Sequence, residues 1–262
     1  MDLKLAGKIA LVIGSSRGLG YAAAQALAEE DAKVAINSRN SDQLSAAALK
    51  LHQSTGGEIL PVTGDVTDKE AAHRIIDETT AHFGGLDILI TNAGGPPAGS
   101  FENFDDETWQ HAIELSLMSH VRLIRAALPH LRKSAHPAVL TITSYSVKQP
   151  IPNLVLSNSI RAATAGLTKT LSIELGPQGI RFNSILPGWT ETERVIVLMD
   201  YRAQAGGSSI KEEITQQSRD IPLGRFARPE EFGRVAAFLV SPAASYINGV
   251  MLPVDGGAIK GV

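Results

Sequence analysis

A glycine-rich loop separates a short apolar run from a helix-forming run near the start of the chain. Residues 9–13 are all apolar, which predicts a strand buried on both faces, and the alanine-rich run 21–29 predicts a helix. Between them, residues 14–20 read GSSRGLG. Such a turn lets the backbone approach a pyrophosphate and points the first N–H groups of the helix at it. The spacing GxxxGxG therefore favours a nucleotide-binding turn over a plain tight turn.

Strand and helix patterns alternate along the rest of the chain. The predicted strands are 9–13, 33–37, 58–62, 86–91, 138–143, 180–186 and 250–254. The predicted helices are 21–29, 41–54, 67–82 (with Thr67 as a capping residue), 108–132, 155–175 and 229–240. This alternation implies parallel pairing through right-handed crossovers. We expect an α/β fold of a single domain, residues 1–262, with a doubly wound, seven-stranded, Rossmann-type parallel sheet.

Composition narrows the functional classes. A net charge of −3 with a pI near 6.2 gives no electrostatic reason to expect nucleic acid. The chain has no cysteine, and its seven histidines show no metal-ligand spacing, so no metal site is expected. The N-terminus lacks the apolar core of a signal peptide, and no apolar run is long enough to span a bilayer. We therefore expect no membrane association and a cytoplasmic location.

Ligands of such sheets bind beyond the carboxyl ends of the strands. That rule selects the candidate positions: 14–20, 37–39, 64–66, 92–94, 144–145 and 187 onward. Several of these positions belong to a set of ordered motifs. They are Gly14-x-x-x-Gly18-x-Gly20, GDVTD at 64–68, TNAG at 91–94, ITS at 142–144, LPG at 186–188, IPLGR at 221–225 and VDGG at 254–257.

Together these motifs make the chain resemble the short-chain dehydrogenase/reductases, of the 3-oxoacyl-carrier-protein reductase kind, over nearly its whole length. The resemblance implies a nicotinamide cofactor and interconversion of a carbonyl and an alcohol. The residues that it places at the cofactor are Gly14, Ser16, Arg17, Gly18, Leu19, Gly20, Asn37, Ser38, Arg39, Asp65, Val66, Asn92, Ala93, Gly94, Arg161, Pro187, Gly188, Thr190 and Thr192.

The residues after the second strand indicate which cofactor is preferred. Asn37, Ser38 and Arg39 stand where an acidic residue usually holds the ribose diol of NAD. Arg39, with Arg17 of the glycine loop, offers guanidinium donors that suit a 2′-phosphate. We therefore expect NADP(H) rather than NAD(H), the alternative being two solvated surface arginines.

The catalytic motif departs from the family pattern of asparagine, serine, tyrosine and lysine. Alignment on the flanking motifs retains the serine as Ser144 but places Ser157 at the tyrosine, Arg161 at the lysine and Ser116 at the asparagine. A serine hydroxyl is a far weaker acid than a phenol, and an arginine does not give up its proton. Losing a positioned general acid removes roughly 10²–10⁴ in rate.

Two replacements for the lost phenol are open. Tyr145, with Lys148 three residues later, could supply a phenol, although a plain role in the pocket wall is the simpler interpretation. Alternatively, a water held by Ser116, Ser144 and Ser157 could relay a proton. Ser116 and Ser157 could equally be small residues that fill helix contacts.

Residues 189–223 are expected to form a lid over the substrate. The apolar run 195–199 suits an apolar or acyl substrate, and the run 205–209 is loose enough to act as a hinge. The alternative is a helical hairpin that packs against another subunit. The resemblance implies a homo-oligomer, either a tetramer or a dimer.

Three functions remain compatible with the sequence. The first is an NADP(H)-dependent oxidoreductase with an atypical active site, in which Ser144 stabilises the oxyanion and Arg161 holds the cofactor. The second is a nucleotide-binding protein of the same fold without redox turnover, serving as a sensor, scaffold or inactive subunit. A third, less favoured, is a non-redox lyase or isomerase.

Overall fold

A seven-stranded parallel sheet forms the centre of the protein. The computed structural model describes residues 1–261. The strands are β1 (Ile9–Val12), β2 (Lys33–Ser38), β3 (Ile59–Thr63), β4 (Ile88–Thr91), β5 (Ala138–Ile142), β6 (Arg181–Pro187) and β7 (Met251–Val254). Their spatial order is β3-β2-β1-β4-β5-β6-β7, and every neighbouring pair is parallel. The predicted seven-stranded Rossmann-type sheet is confirmed.

Within residues 1–261, nine α-helices cover the sheet and its carboxyl edge. They are α1 (Gly18–Ala28), α2 (Ser41–Thr55), α3 (Ala71–Phe83), α4 (Asp106–Ile113), α5 (Ser119–Leu131), α6 (Val155–Glu174), α7 (Glu193–Gly206), α8 (Ile210–Arg219) and α9 (Pro229–Val240). The last four residues of the predicted lid, 220–223, lie just beyond α8, so residues 189–223 form a pair of helices with short flanking loops. Within residues 1–261 no helix is long and apolar enough to cross a membrane.

The pleat of the strands divides the core into two layers. On β1, Ala10 and Val12 face one layer, in which α1, α2 and α9 pack, whereas Leu11 and Ile13 face the other, with α3 and α5. All four residues are fully buried. Burial on both faces explains why β1 is an uninterrupted apolar run rather than an alternating one.

Two predicted helices differ from those observed. The third begins at Ala71 instead of residue 67, because the Thr67 N–H and hydroxyl both donate to Asp65 Oδ1, at 2.9 and 2.8 Å, and hold the chain in a turn. The predicted helix 108–132 is α4 and α5 joined by a π-helical turn, Glu114–Met118. A π-helical turn contains one residue more than an α-helical turn, and the hydrophobic periodicity of the sequence does not reveal it.

The strand order reverses between β1 and β4, since β2 lies on one side of β1 and β5 beyond β4. In open α/β sheets this reversal opens a crevice at the carboxyl ends of the strands. Asn92, which follows β4, closes the base of that crevice by donating from Nδ2 to the Gly14 carbonyl at 3.0 Å.

Candidate active site

The glycine loop has the shape of a phosphate cradle. Gly14 and Gly18 have φ values of +62° and +61°, which only glycine adopts readily. A Cβ on Gly20 would lie 2.3 Å from the Gly14 carbonyl oxygen, so the loop folds this tightly only without a side chain. Arg17, the N-cap of α1, forms no side-chain cap. The first N–H groups of α1 are thus left for a ligand, and the loop fits the diphosphate of a dinucleotide.

Three adjoining cavities form one groove along the carboxyl edge of the sheet. A 520 Å³ cavity at one end contains Arg39 and Asp65, and a 710 Å³ cavity at the other contains Ser144 and Tyr145. A 460 Å³ cavity between them shares Arg194 and Gly95 with both. We call these together the dinucleotide groove. The shared residues make the three cavities one continuous space.

The groove collects most of the predicted cofactor residues. Those that line at least one of its three cavities are Gly14, Ser16, Arg17, Gly18, Leu19, Asn37, Ser38, Arg39, Asp65, Val66, Asn92, Ala93, Gly94, Arg161, Pro187, Gly188, Thr190 and Thr192. Gly20 lies behind the wall, against the Gly14 carbonyl. Thr192 is the N-cap of α7 and accepts a hydrogen bond from the Val195 N–H at 3.4 Å.

The side chain of Asn37 is committed to the protein itself. Asn37 is 1 % exposed, and its Nδ2 donates to the carbonyls of Val62, at 2.9 Å, and Gly64, at 3.2 Å. It therefore ties β2 to the end of β3 and shapes the cavity wall. Asn37 thus lines the 520 Å³ cavity, but its side-chain amide is bonded within the protein.

The 520 Å³ cavity is lined by two exposed cations that the sequence selects, Arg17 and Arg39, by the carboxylate of Asp65, and also by Arg194. Partial burial opposes ionisation of Asp65, but hydrogen bonds from Thr67 and the charge of Arg39 outweigh it and lower the Asp65 pKa. Arg17 is paired, because its Nη1 lies 2.5 Å from Glu193 Oε2 at the start of α7. Arg39 forms no ion pair with any other residue in 1–261. Arg39 is therefore the more available of the two arginines.

Ser144, Ser157 and Arg161 meet in the 710 Å³ cavity. Arg161 projects from α6, where its Nε donates to Ser157 Oγ at 3.2 Å and its Nη1 to the Thr143 carbonyl at 2.9 Å. Further bonds run from Nη1 to the Ile142 carbonyl and from Nη2 to the Ala93 carbonyl, at 3.3 and 3.5 Å. Four of the five guanidinium hydrogens are used, which leaves one on Nη2.

Arg161 is a cation held among neutral oxygens. All four of its acceptors are hydroxyl or carbonyl groups, and no carboxylate of residues 1–261 lies within ion-pair distance. Burial, with repulsion from Arg194, lowers the pKa of Arg161 to about 10. The group stays protonated at neutral pH, so it offers charge and a hydrogen bond but no proton.

Tyr145 lines both the 710 Å³ cavity, with the serines, and a neighbouring 430 Å³ cavity. Burial raises the Tyr145 pKa, against a hydrogen bond from Trp189 and the charge of Arg202, which lower it. Trp189 also lines both cavities, whereas Arg202 lines the 430 Å³ cavity and not the 710 Å³ one. The charges that act on the phenol are those of Arg202, Asp255 and Asp220, and not that of Lys148. The raised pKa, without a tuning charge from Lys148, gives no support to Tyr145 as a proton donor.

Ser116 lies behind the active site, in the π-helical turn. It is 1 % exposed, its hydroxyl has no hydrogen-bond partner, and its carbonyl accepts from Thr164 Oγ1 at 2.7 Å. Ser116 lines none of the three cavities of the dinucleotide groove. The structure therefore does not bring it into the pocket with Ser144 and Ser157.

Arg194, which the sequence analysis does not single out, closes the middle of the groove. Its Nη1 donates to the Gly95 carbonyl at 3.0 Å and its Nη2 to the Pro96 carbonyl at 3.3 Å. One feature of the sequence could have pointed to Arg194. Arg194 stands in the first turn of α7, where a cation opposes the helix dipole and adds no stability to the helix.

The groove and the sheet define a dinucleotide-binding protein of the Rossmann class. The sequence model of a family described as enoyl-(acyl carrier protein) reductase matches residues 13–258. Glucose 1-dehydrogenase 2 of Bacillus subtilis is 34 % identical over 257 residues, which is 97 % of this chain and 95 % of that protein. The chain belongs to the short-chain dehydrogenase/reductase family.

Solved structures agree with this assignment. L-sorbose reductase from Gluconobacter frateurii, in complex with NADPH and L-sorbose, superposes with a TM-score of 0.96 at 33 % identity, over 100 % of both chains. The NADPH-bound short-chain oxidoreductase from Pseudomonas aeruginosa PAO1, described as containing an atypical catalytic center, gives 0.89 at 30 % identity, over 98 % of this chain and 100 % of that one.

Proposed function

We propose that the protein is an NADP(H)-dependent oxidoreductase that interconverts a carbonyl and an alcohol through an atypical active site. The observation that carries the proposal is the meeting of Ser144, Ser157 and Arg161 in one cavity at the end of a groove that starts at a glycine-loop phosphate cradle. Family membership and the NADPH-bound neighbours support the cofactor class.

Different residues of the groove suit different parts of the cofactor. Backbone groups of the glycine loop suit the diphosphate, and Arg39, assisted by Arg17, suits a 2′-phosphate. No acidic residue stands at 37–39 to accept hydrogen bonds from a ribose 2′-hydroxyl. These charges support NADP(H) over NAD(H).

The bound cofactor supplies the hydride. Ser144 Oγ accepts from the Ser146 N–H at 3.1 Å, and Ser157 Oγ accepts from Arg161 Nε, so each hydroxyl keeps its own hydrogen to donate. We propose that both hydroxyls donate hydrogen bonds to the carbonyl oxygen of the substrate. The remaining Nη2 hydrogen and the charge of Arg161 stabilise the negative charge that develops on that oxygen.

The proton that completes the alcohol comes from solvent in this proposal. The pKa of Arg161 stays near 10 and that of Tyr145 is raised, so neither group readily releases a proton near neutral pH. Water reaching the Ser157 hydroxyl can replace the proton that Ser157 gives to the alkoxide. Such a relay keeps oxyanion stabilisation but lacks a positioned acid, which predicts slow turnover.

The walls of the 710 Å³ cavity support an apolar or acyl substrate. Trp189, Leu198, Ile151 and Leu154 line it, together with Val197, which is exposed on the lid helix α7. We propose that residues 189–223 act as the substrate lid. A homo-oligomeric assembly and a cytoplasmic location stay predictions.

Stopped-flow absorbance of NADPH, followed across a panel of activated ketones and 3-oxoacyl thioesters, tests the proposal. We expect oxidation of NADPH with at least one carbonyl substrate, and weaker binding of NADH. Tight NADPH binding without oxidation by any member of the panel would overturn the redox proposal and leave the cofactor proposal standing.

A second candidate, a dinucleotide-binding protein without turnover, has one observation in its favour. The described residues that line the 710 Å³ cavity include no histidine, carboxylate or lysine, and therefore no group that ordinarily gains or loses a proton near neutral pH. The same stopped-flow experiment separates the two functions, since a sensor or scaffold binds NADPH and leaves its absorbance unchanged.

A further inference from the structure

The start of α7 is tied to both walls of the dinucleotide groove. Glu193 meets Arg17 of the glycine loop, and the next residue, Arg194, reaches the carbonyls of Gly95 and Pro96 after β4. The bonds of Arg194 join residues about one hundred positions apart in sequence. Together with the Arg17–Glu193 pair, they attach the first turn of α7 to the loops that follow β1 and β4.

The two ties differ in character. The side chains of Arg17 and Glu193 are 65 % and 67 % exposed, so their ion pair contributes little stability. Arg194 lies against the backbone of the loop, since a Cβ on Gly95 would stand 2.1 Å from its Nη2. The absence of a side chain at Gly95 is what allows the guanidinium to lie so close.

The charge of Arg194 has no counterion in the protein. Its two acceptors are neutral carbonyls, and no carboxylate within residues 1–261 lies at ion-pair distance from it. Three of its five N–H groups form no hydrogen bond in the described part of the chain. A nearby cation, Arg161, adds repulsion, which shows in the lowered pKa of Arg161. Arg194 is exposed to the open groove, so its free N–H groups are available to an anion that enters there.

The position of Arg194 identifies the anion. Arg194 lines the 520 Å³ cavity at the adenosine end, the 460 Å³ cavity in the middle and the 710 Å³ cavity at the nicotinamide end. The part of a dinucleotide that lies between adenosine and nicotinamide is its diphosphate. Planar guanidinium groups bind phosphate oxygens through paired N–H donors.

We propose that Arg194 is a cofactor-positioning residue that closes over the diphosphate of NADP(H) and slows its release. This inference rests on the dinucleotide cofactor of the proposed function, but not on turnover. It adds a side-chain clamp from the lid helix to the backbone cradle of the glycine loop. Because the clamp is on α7, release of the cofactor is then coupled to movement of the lid.

Binding measurements on Arg194→Gln test the proposal, with Arg202→Gln as the matched control. Arg202 is a cation of the same helix that contacts Gln217 and Trp189 and lines the separate 430 Å³ cavity. We expect Arg194→Gln to raise the Kd for NADPH about 10- to 100-fold, mainly through faster dissociation. Arg202→Gln should leave the Kd for NADPH unchanged, and both variants should keep the wild-type Tm.

A fragment without a diphosphate makes the test specific. Adenosine 2′-monophosphate carries the 2′-phosphate alone, so its Kd, measured by calorimetry, should be the same for wild type and Arg194→Gln. Equal loss of affinity for both ligands would overturn the proposal and show a general effect of charge. An unchanged Kd for NADPH would also overturn it. If the wild-type protein bound neither ligand, the proposed cofactor itself would be wrong.

Discussion

Arg161 Nε donates a hydrogen bond to Ser157 Oγ at 3.2 Å, one helical turn away on α6. The same guanidinium is anchored to the carbonyls of Thr143 and Ile142 at the end of β5. The pair therefore holds a serine hydroxyl and a permanent cation at the place where the family pattern has a phenol and a lysine. Activity should respond to changes in this pair more than to any other change in the cavity.

The double substitution Ser157→Tyr with Arg161→Lys should raise carbonyl reduction by roughly 10²–10⁴, because it restores a positioned general acid and a cation that lowers its pKa. The 710 Å³ cavity has room for the ring. Steady-state oxidation of NADPH with a saturating ketone measures the change. Arg161→Lys alone is the control and should not raise turnover. An inactive double variant that still binds NADPH would argue that the cavity does not bind carbonyl substrates.

Tyr145→Phe should leave turnover within about a factor of two, whereas loss of a working general acid would lower it roughly 10²–10⁴-fold. The reason is that burial raises the Tyr145 pKa and the charge of Lys148 does not act on it, so the phenol is a poor acid near neutral pH. The kcat of this variant on the best substrate of the panel decides the point. A drop of a hundredfold would reinstate the phenol as the proton source.

Arg39→Ala should lower the preference for NADPH over NADH about tenfold or more, because the 2′-phosphate loses a charge-assisted hydrogen bond. Arg17→Ala should have a smaller effect, since Arg17 must first leave Glu193. Titration of protein fluorescence with each cofactor gives the two ratios. Equal affinities of the Arg39 variant and wild type for NADPH would place the 2′-phosphate elsewhere.

Gly20→Ala should destabilise the protein by about 1–3 kcal/mol and weaken NADPH binding, because the new Cβ would stand 2.3 Å from the Gly14 carbonyl oxygen. Gly166→Ala on α6 is the matched control. A Cβ there meets no heavy atom within 4 Å, so the change should stabilise the helix by up to about 1 kcal/mol. Urea denaturation of both variants provides the comparison, and a neutral Gly20→Ala would contradict the cradle geometry.

Burial, and then the charge of Arg161, lower the pKa of His120 to about 3 from its usual 6.5. Below pH 6.5 His120 is protonated in the unfolded chain, whereas in the folded protein it stays neutral down to about pH 3. Stability therefore falls as the pH drops through this window, by about 1.4 kcal/mol per pH unit at most.

His120→Gln should remove this contribution, so the stability of the variant should fall less than that of wild type between pH 6.5 and 5. Glutamine keeps a polar group opposite Thr91, whose hydroxyl lies 2.7 Å from His120 Nδ1. Urea denaturation at the two pH values measures the difference, with the exposed His136→Gln as control. Parallel pH dependence of variant and wild type would show that His120 is protonated in the folded state.

The sequence predicts the sheet well because buried parallel strands are continuous apolar runs, and β1 is the clearest of them. The glycine loop and Arg39 can also be selected from the sequence, because only a few residue types are suited to surround a phosphate group. Asn37 illustrates the limit. Its position is marked by the end of β2, but its bonds to Val62 and Gly64 depend on where β3 lies in space.

Ser116, Tyr145 and Arg194 show why side-chain direction escapes prediction. Tyr145 is followed by Lys148 in sequence, yet the groups that act on its phenol include Trp189 and Arg202, which lie far along the chain. Ser116 aligns with a family site position but is placed behind α6. Arg194 contacts residues about one hundred positions away, through a tertiary arrangement that no local pattern records.

The π-helical turn at Glu114–Met118 has a consequence for how the chain tolerates change. Each residue of an α-helix turns the chain by about 100°, so deleting one residue of this segment would rotate α5 against α4 by more than a quarter turn. Leu123 and Ala127 would then leave the layer under β4. Substitutions at these five positions should be accepted far more readily than the loss of a single codon.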